Sequence, residues 1–106
     1  ILLSGNMEAS DLDAKFRMIV DLIQNSTDSS TKNSIKPSND QKLKFYGLFK
    51  QATVGKCSGK APSRLKVIPR MKYFAWKELG NMSKDQAKKN YVELAYKVDP
   101  KLSAKL

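Results

Sequence analysis

At 106 residues with 41% hydrophobic content, the chain has material for one domain around one modest core. Twenty Lys and Arg against ten Asp and Glu leave +10 at pH 7, a balance that favours an anionic partner: nucleic acid, phospholipid or a phosphorylated small molecule. With no histidine and one cysteine, Cys57, the usual zinc ligand sets, Cys-His and Ser-His nucleophile pairs and an internal disulfide are excluded.

The opening Ile1-Leu2-Leu3 is too short for a signal-peptide core, and no apolar run has the length of a bilayer span, so a soluble domain is expected. A start at Ile1 rather than methionine suggests a processed or shortened product, with room upstream for a targeting or anchoring segment. From Ser10, Leu12, Phe16, Ile19 and Ile23 recur at steps of four, three and four, which predicts a first amphipathic helix with Ser10 and Asp13 at its start. Residues 25–34 then collect Asn, Ser, Thr and Asp, whose side chains bond their own backbone, and read as a loop.

Ser38, with Gln41 three residues on, has the spacing of a capping box and predicts a second helix carrying Phe45, Phe49 and Ala52 and ending at Gly55. Residues 56–68 hold Gly59 and Pro62 among charges without a sustained period, which predicts a long surface connection. Pro69 suits the first turn of a third helix, with Met71, Ala75 and Leu79 on one face and Gly80 as its stop. Ser83 and Gln86 repeat the capping-box spacing before a fourth helix with Ala87, Tyr91, Leu94 and Val98, ending ahead of Pro100. Four helices and no convincing strand predict an all-α four-helix bundle. The domain is expected over residues 8–99, with 1–7 and 100–106 as flanking termini.

Tyr46 and Lys50 lie four residues apart and so neighbour each other on the second helix, where a phenol and an ammonium could grip a phosphate and a nearby ring could stack on a purine. Lys72 and Trp76 repeat the spacing on the third helix, beside Arg70. On spacing alone each pair is better read as a packed aromatic beside a solvated lysine, and Tyr91 as part of an apolar stripe. The acidic residues are spread over predicted helix starts and solvated faces with no convergent pair for acid–base work, and no Gly-rich phosphate loop is present. No catalytic or metal site is expected.

Read as a string, KPSNDQKLKFYGLFKQATVG from Lys36 to Gly55, followed in order by Pro62 and RMKYFAWKELGNMSKDQAKKNYVEL, resembles the acyl-CoA-binding protein family. The resemblance runs over about residues 10–98 and is strongest from 36 to 94. It implies a four-helix bundle of that family's type, which shelters an acyl chain in a groove while the nucleotide head lies near the surface. Residue by residue, it implies that Tyr46, Lys50 and Lys72 hold the 3′-phosphate end of coenzyme A, that Phe49 contacts the adenine and that Tyr91 closes the site. Leu43 and Met18 are groove candidates. The sequence departs from the family where Tyr73-Phe74 replaces Trp-Asp and where Ser63, Lys66 and Pro69 replace Gly, Asp and Gly, so the loop is expected to run differently. Phe49 lacks a hydroxyl that many members carry there, and residues 26–32 lengthen the first connection.

The expected function is therefore non-covalent binding of long-chain fatty acyl-CoA by a monomeric cytoplasmic carrier and pool former, with no cofactor. Acyl-CoA-using enzymes and anionic membrane are its expected transient contacts. An acyl-CoA-sensing or membrane-targeting module of a larger protein keeps the same fold. A small basic nucleic-acid-binding domain is motivated by the charge alone, and the lysines are scattered over all four predicted helices rather than gathered for such a partner. The ending Ala104-Lys105-Leu106 is similar to a peroxisomal address of the Ser-Lys-Leu type.

Overall fold

The computed structural model describes residues 9–24 and 37–102. Four helices run α1 (Ala9–Gln24), α2 (Asn39–Thr53), α3 (Val67–Lys77) and α4 (Lys84–Val98), and the described residues contain no strand. The expected loop at 25–34, with its insertion at 26–32, lies outside the described residues, as do residues 1–7 and the Ala104–Leu106 ending.

The predicted stripe of α1 becomes its packed face: Leu12, Phe16 and Ile19 are buried, and Ile23 packs partly against them. The helix itself starts one residue before Ser10, at Ala9. In α2 the capping box forms in full, with the Gln41 backbone N–H donating to Ser38 Oγ at 3.2 Å and the Ser38 N–H donating to Gln41 Oε1 at 2.8 Å. Its end is closed at Gly55, whose φ of 102° is open to glycine and whose N–H returns to the Lys50 carbonyl at 3.2 Å.

Two sequence expectations are corrected. α3 begins at Val67, so Val67 and Ile68, expected in the connection, are helical, while Pro69 falls in the first turn as expected, as its third residue. The ring is tolerated there because the first N–H groups of a helix have no intrahelical acceptor, and the ladder starts only with Arg70 N–H to Lys66 O at 3.0 Å. At α4, Ser83 caps as expected, accepting from Gln86 N–H at 3.1 Å. The return arm of the box is not made: the Gln86 amide donates instead to Asn90 Oδ1 at 2.8 Å, one turn further on.

Matching residues across the interfaces gives the topology. Tyr46 meets Lys72, Gly47 meets Ala75 and Gln51 reaches Gly80, an ascending order on both chains that makes α2 and α3 parallel. Phe45 meets Tyr91 while Gln51 reaches Met82, so α2 and α4 are antiparallel. Asp13 with Lys88 and Phe16 with Tyr91 make α1 parallel to α4. The bundle is up–down–down–up, with the connection from 54 to 66 carrying the chain back along α2. The core is formed by α1, α2 and α4 around Phe16, Phe45, Leu48 and Tyr91, and it extends to Leu102, beyond α4.

Candidate functional site: a cation–aromatic cluster beside an apolar groove

Gly47 sets the spacing of the α2–α3 pair. A Cβ built there would lie 2.6 Å from the Ala75 carbonyl oxygen and 2.8 Å from its carbon, so only glycine allows the two backbones to come so close. That approach brings the side chains flanking Gly47 within reach of those flanking Ala75. Lys72 Nζ lies 5.3 Å from the centre of the Tyr46 ring, and Lys50 Nζ lies 5.0 Å from the centre of the Trp76 ring.

The two pairs read from sequence are therefore exchanged. Each lysine sits over the ring of the other helix, not over the ring four residues away on its own. The result is two ammonium groups and a phenol gathered on one flank of the α2–α3 contact, a set able to offer a phosphate two charges and a directed hydroxyl. Trp76 plays both parts considered for it. Its indole is buried and donates to the Gly55 carbonyl at 2.8 Å, tying α3 to the end of α2, while its face carries Lys50.

Phe49 and Tyr91 lie elsewhere. Phe49 is half-buried and stacks on Phe16 of α1, with ring centres 6.3 Å apart, at the edge of a small cleft of about 280 Å³ that also holds Arg17, Val20 and Thr53. Tyr91 is 2% exposed, edge-on to Phe16 at 5.0 Å and to Phe45 at 4.9 Å, and burial raises its phenol pKa above the usual range. The five residues thus form a cation–aromatic cluster, Tyr46, Lys50 and Lys72, and an aromatic core pair, Phe49 and Tyr91, joined through Phe16.

A groove of about 980 Å³ opens where α2, α3 and α4 diverge. Its apolar lining includes Leu43, Leu48, Met71, Phe74, Leu79 and Leu94. None of the five site residues lines it. At about 100° per residue, Lys44 and Leu48 fall on the opposite side of Gly47 from Tyr46 and Lys50, and Phe74 falls on the opposite side of Ala75 from Lys72 and Trp76. Leu43 and Met71 stand between the two flanks: Leu43 is one turn before Gly47, and Met71 is adjacent to Lys72 and one turn before Ala75. Leu43 is thus part of the groove, whereas Met18 is 51% exposed on α1 and does not line it.

Sequence reading missed two things here. Gln51 is fully buried and its amide donates to the carbonyls of Gly80 at 3.1 Å and Met82 at 2.6 Å, holding the turn between α3 and α4. The face shared by Met71, Ala75 and Leu79, to which the sequence assigned no partner, lines the open groove. The loop is tied to α3 by Tyr73, one of the residues that depart from the family pattern, whose hydroxyl donates to Gly59 O at 2.9 Å, and by Arg70, whose Nη1 donates to Pro62 O at 3.0 Å.

The Acyl CoA binding protein family model matches residues 13–95. The chain belongs to the acyl-CoA-binding protein family. It is 37% identical over 95 residues to "Acyl-CoA-binding protein homolog 3" of Caenorhabditis elegans, covering 90% of this chain and 79% of that protein. It is 41% identical over 68 residues to "Enoyl-CoA delta isomerase 2" of Homo sapiens, covering 64% of this chain and only 17% of that enzyme. The crystal structure of Oryza sativa Acyl-CoA-Binding Protein 2 superposes with a TM-score of 0.73 at 28% identity, over 90% of this chain and 96% of that one. The family is one of binding proteins, and its four-helix all-α bundle is the fold observed here. Among the described residues no group of three or more acidic or cysteine side chains could hold a metal ion, and no helix is long and apolar enough to cross a membrane.

Proposed function

We propose that this domain binds long-chain fatty acyl-CoA without covalent chemistry. Tyr46, Lys50 and Lys72 hold the phosphorylated head of coenzyme A, and the acyl chain passes Leu43 and Met71 into the groove between α2, α3 and α4. The observation that carries this reading is the cross-helix pairing: Lys72 lies over the Tyr46 ring and, one turn along, Lys50 over the Trp76 ring, on a flank of α2–α3 next to an apolar groove. A groove of about 980 Å³ lies at the upper end of the range of roughly 300–1,000 Å³ for small-molecule sites. Phe49 and Tyr91 support the site from the core side, Phe49 as the ring nearest an adenine and Tyr91 by fixing Phe16 and Phe45. The protein works as a monomeric cytoplasmic carrier and pool former that exchanges its ligand with acyl-CoA-using enzymes. Its free Cys57 fits a reducing compartment.

Titration with palmitoyl-CoA, free CoA and palmitate tests it. Saturable one-to-one binding of palmitoyl-CoA, much weaker binding of free CoA and little of palmitate is the expected order. Equal affinity for CoA and palmitoyl-CoA would remove the acyl groove from the reading, and no saturable binding of either would remove the reading itself.

A further inference from the structure

We propose that the turn into α3, Arg64 to Met71, is a docking surface for anionic phospholipid membrane. Over this stretch the molecule exposes apolar side chains to solvent: Leu65 is 93% exposed, Val67 59%, Ile68 58% and Met71 43%. They alternate with cations, in the order Arg64-Leu65-Lys66-Val67-Ile68-Pro69-Arg70-Met71. From Lys56 to Lys77 the chain has seven Lys and Arg and no Asp or Glu. Isolated exposed aliphatics are ordinary on protein surfaces; a contiguous set inside a wholly cationic segment is not.

The surface is held in place before any partner arrives. Leu65 N–H donates to Ser63 Oγ at 3.2 Å, Lys66 N–H to Ser63 O at 2.9 Å, and Arg70 Nη1 reaches back to Pro62 O at 3.0 Å. Leu65 therefore projects from a fixed turn rather than from a strand of loose loop. Cations that meet lipid phosphate and serine carboxylate, around aliphatics that enter the acyl boundary, are the pattern of an interfacial anchor. A soluble acidic protein would satisfy the charges and leave Leu65 without an apolar environment unless it supplied a matching pocket, so the lipid surface accounts for both halves of the pattern. The docking does not depend on acyl-CoA binding. If both hold, Met71 belongs to the surface and to the groove entrance, so the docked domain presents that entrance to the bilayer.

Co-sedimentation of the whole chain, without acyl-CoA, with phosphatidylcholine vesicles and with phosphatidylcholine–phosphatidylserine vesicles tests the proposal. Binding is expected only to the serine-containing vesicles. Two paired variants at exposed positions, Leu65→Ser with Ile68→Ser and Arg64→Glu with Lys66→Glu, should each weaken it by about tenfold or more. A remote charge control, Lys89→Glu with Lys101→Glu, should keep most of the binding, and the helical circular dichroism of all three should match the parent. Retained binding in the serine variant, or equal loss in the remote control, would overturn the proposal in favour of diffuse attraction by net charge. Sedimentation only with protein-bearing membranes, and not with pure lipid, would overturn it in favour of a protein partner.

Discussion

Lys50 and Lys72 contribute little to the fold and much to the proposed site, and the two contributions separate in experiment. A lysine over an aromatic ring at an exposed position is worth about 0.5–1 kcal/mol, whereas a hydrogen bond to a charged group is worth roughly 1.5–3 kcal/mol. Lys50→Ala should therefore weaken palmitoyl-CoA and free CoA by about ten- to hundredfold alike while moving the unfolding midpoint only slightly. Isothermal titration beside thermal unfolding reads both, and unchanged affinity would take Lys50 out of the site. Gly47→Ala should behave in the opposite way. Ala is favoured over Gly inside a helix by about 1 kcal/mol, but the new Cβ would overlap Ala75 backbone at 2.6 Å, and overpacking against atoms that cannot rotate away costs about 1–3 kcal/mol. Net destabilisation is expected in denaturant melts, with loss of CoA binding in step because the lysines no longer reach across. A more stable Gly47→Ala protein would show that the helices can separate without cost. The sequence showed which residue types were available here but not their pairing. Spacing of four describes neighbours on one helix, and the exchange of Lys50 and Lys72 between rings exists only because Gly47 lets two parallel helices touch.

The helices differ in how well local sequence specifies them. α2 was legible at both ends because its start and stop are written in local chemistry, a reciprocal Ser38–Gln41 pair and a glycine at positive φ. The start of α3 was not, since Lys66 makes no side-chain cap and Pro69 is compatible with any of the first few positions. The groove was hidden for a related reason: a stripe such as Met71, Ala75 and Leu79 looks the same whether a neighbouring helix covers it or leaves it open. Between elements, one polar anchor stands out. Gln51→Met keeps the volume, removes both donors to the Gly80 and Met82 carbonyls, and also removes the buried Gln51 Oε1, which has no partner. Two hydrogen bonds of about 1 kcal/mol each, offset by relief of that oxygen, give an expected loss of about 1–2 kcal/mol, read as a lower denaturant midpoint. At the α1–α4 interface Lys88 Nζ donates to Asp13 Oδ1 at 2.5 Å, and this hydrogen bond holds the Asp13 carboxyl below its ordinary pKa despite partial desolvation. A depressed folded pKa stabilises above the unfolded value and ceases to as pH falls through the folded one. Asp13→Asn should thus be less stable than the parent near neutrality, with the difference closing as pH drops below the ordinary aspartate range. A gap that stayed constant with pH would mean the pair acts by packing and not by charge.

At the scale of the whole molecule, two kinds of force act on one ligand, and they respond differently to salt. In the proposed binding mode the +10 charge and the Lys50–Lys72 pair act on the phosphorylated head through fields that reach about 10 Å at 0.1 M salt and about 3 Å at 1 M. In the same proposed mode the groove acts on the acyl chain by removing methylenes from water, at about 0.8 kcal/mol each, a term with no charge in it. Each two-methylene extension should then tighten binding by roughly tenfold until the groove is filled. Measured as a series from free CoA to stearoyl-CoA at low and high salt, affinity should fall in parallel for every member as salt rises. The increment per methylene should stay constant. An increment that shrank at high salt would mean that the chain and head do not bind as separable parts, as would happen if the chain lay against the lysine stems instead of entering past Leu43 and Met71. Parallel lines with a salt-sensitive offset and a salt-insensitive slope would place the head on one flank of the α2–α3 contact and the chain in the groove on the other.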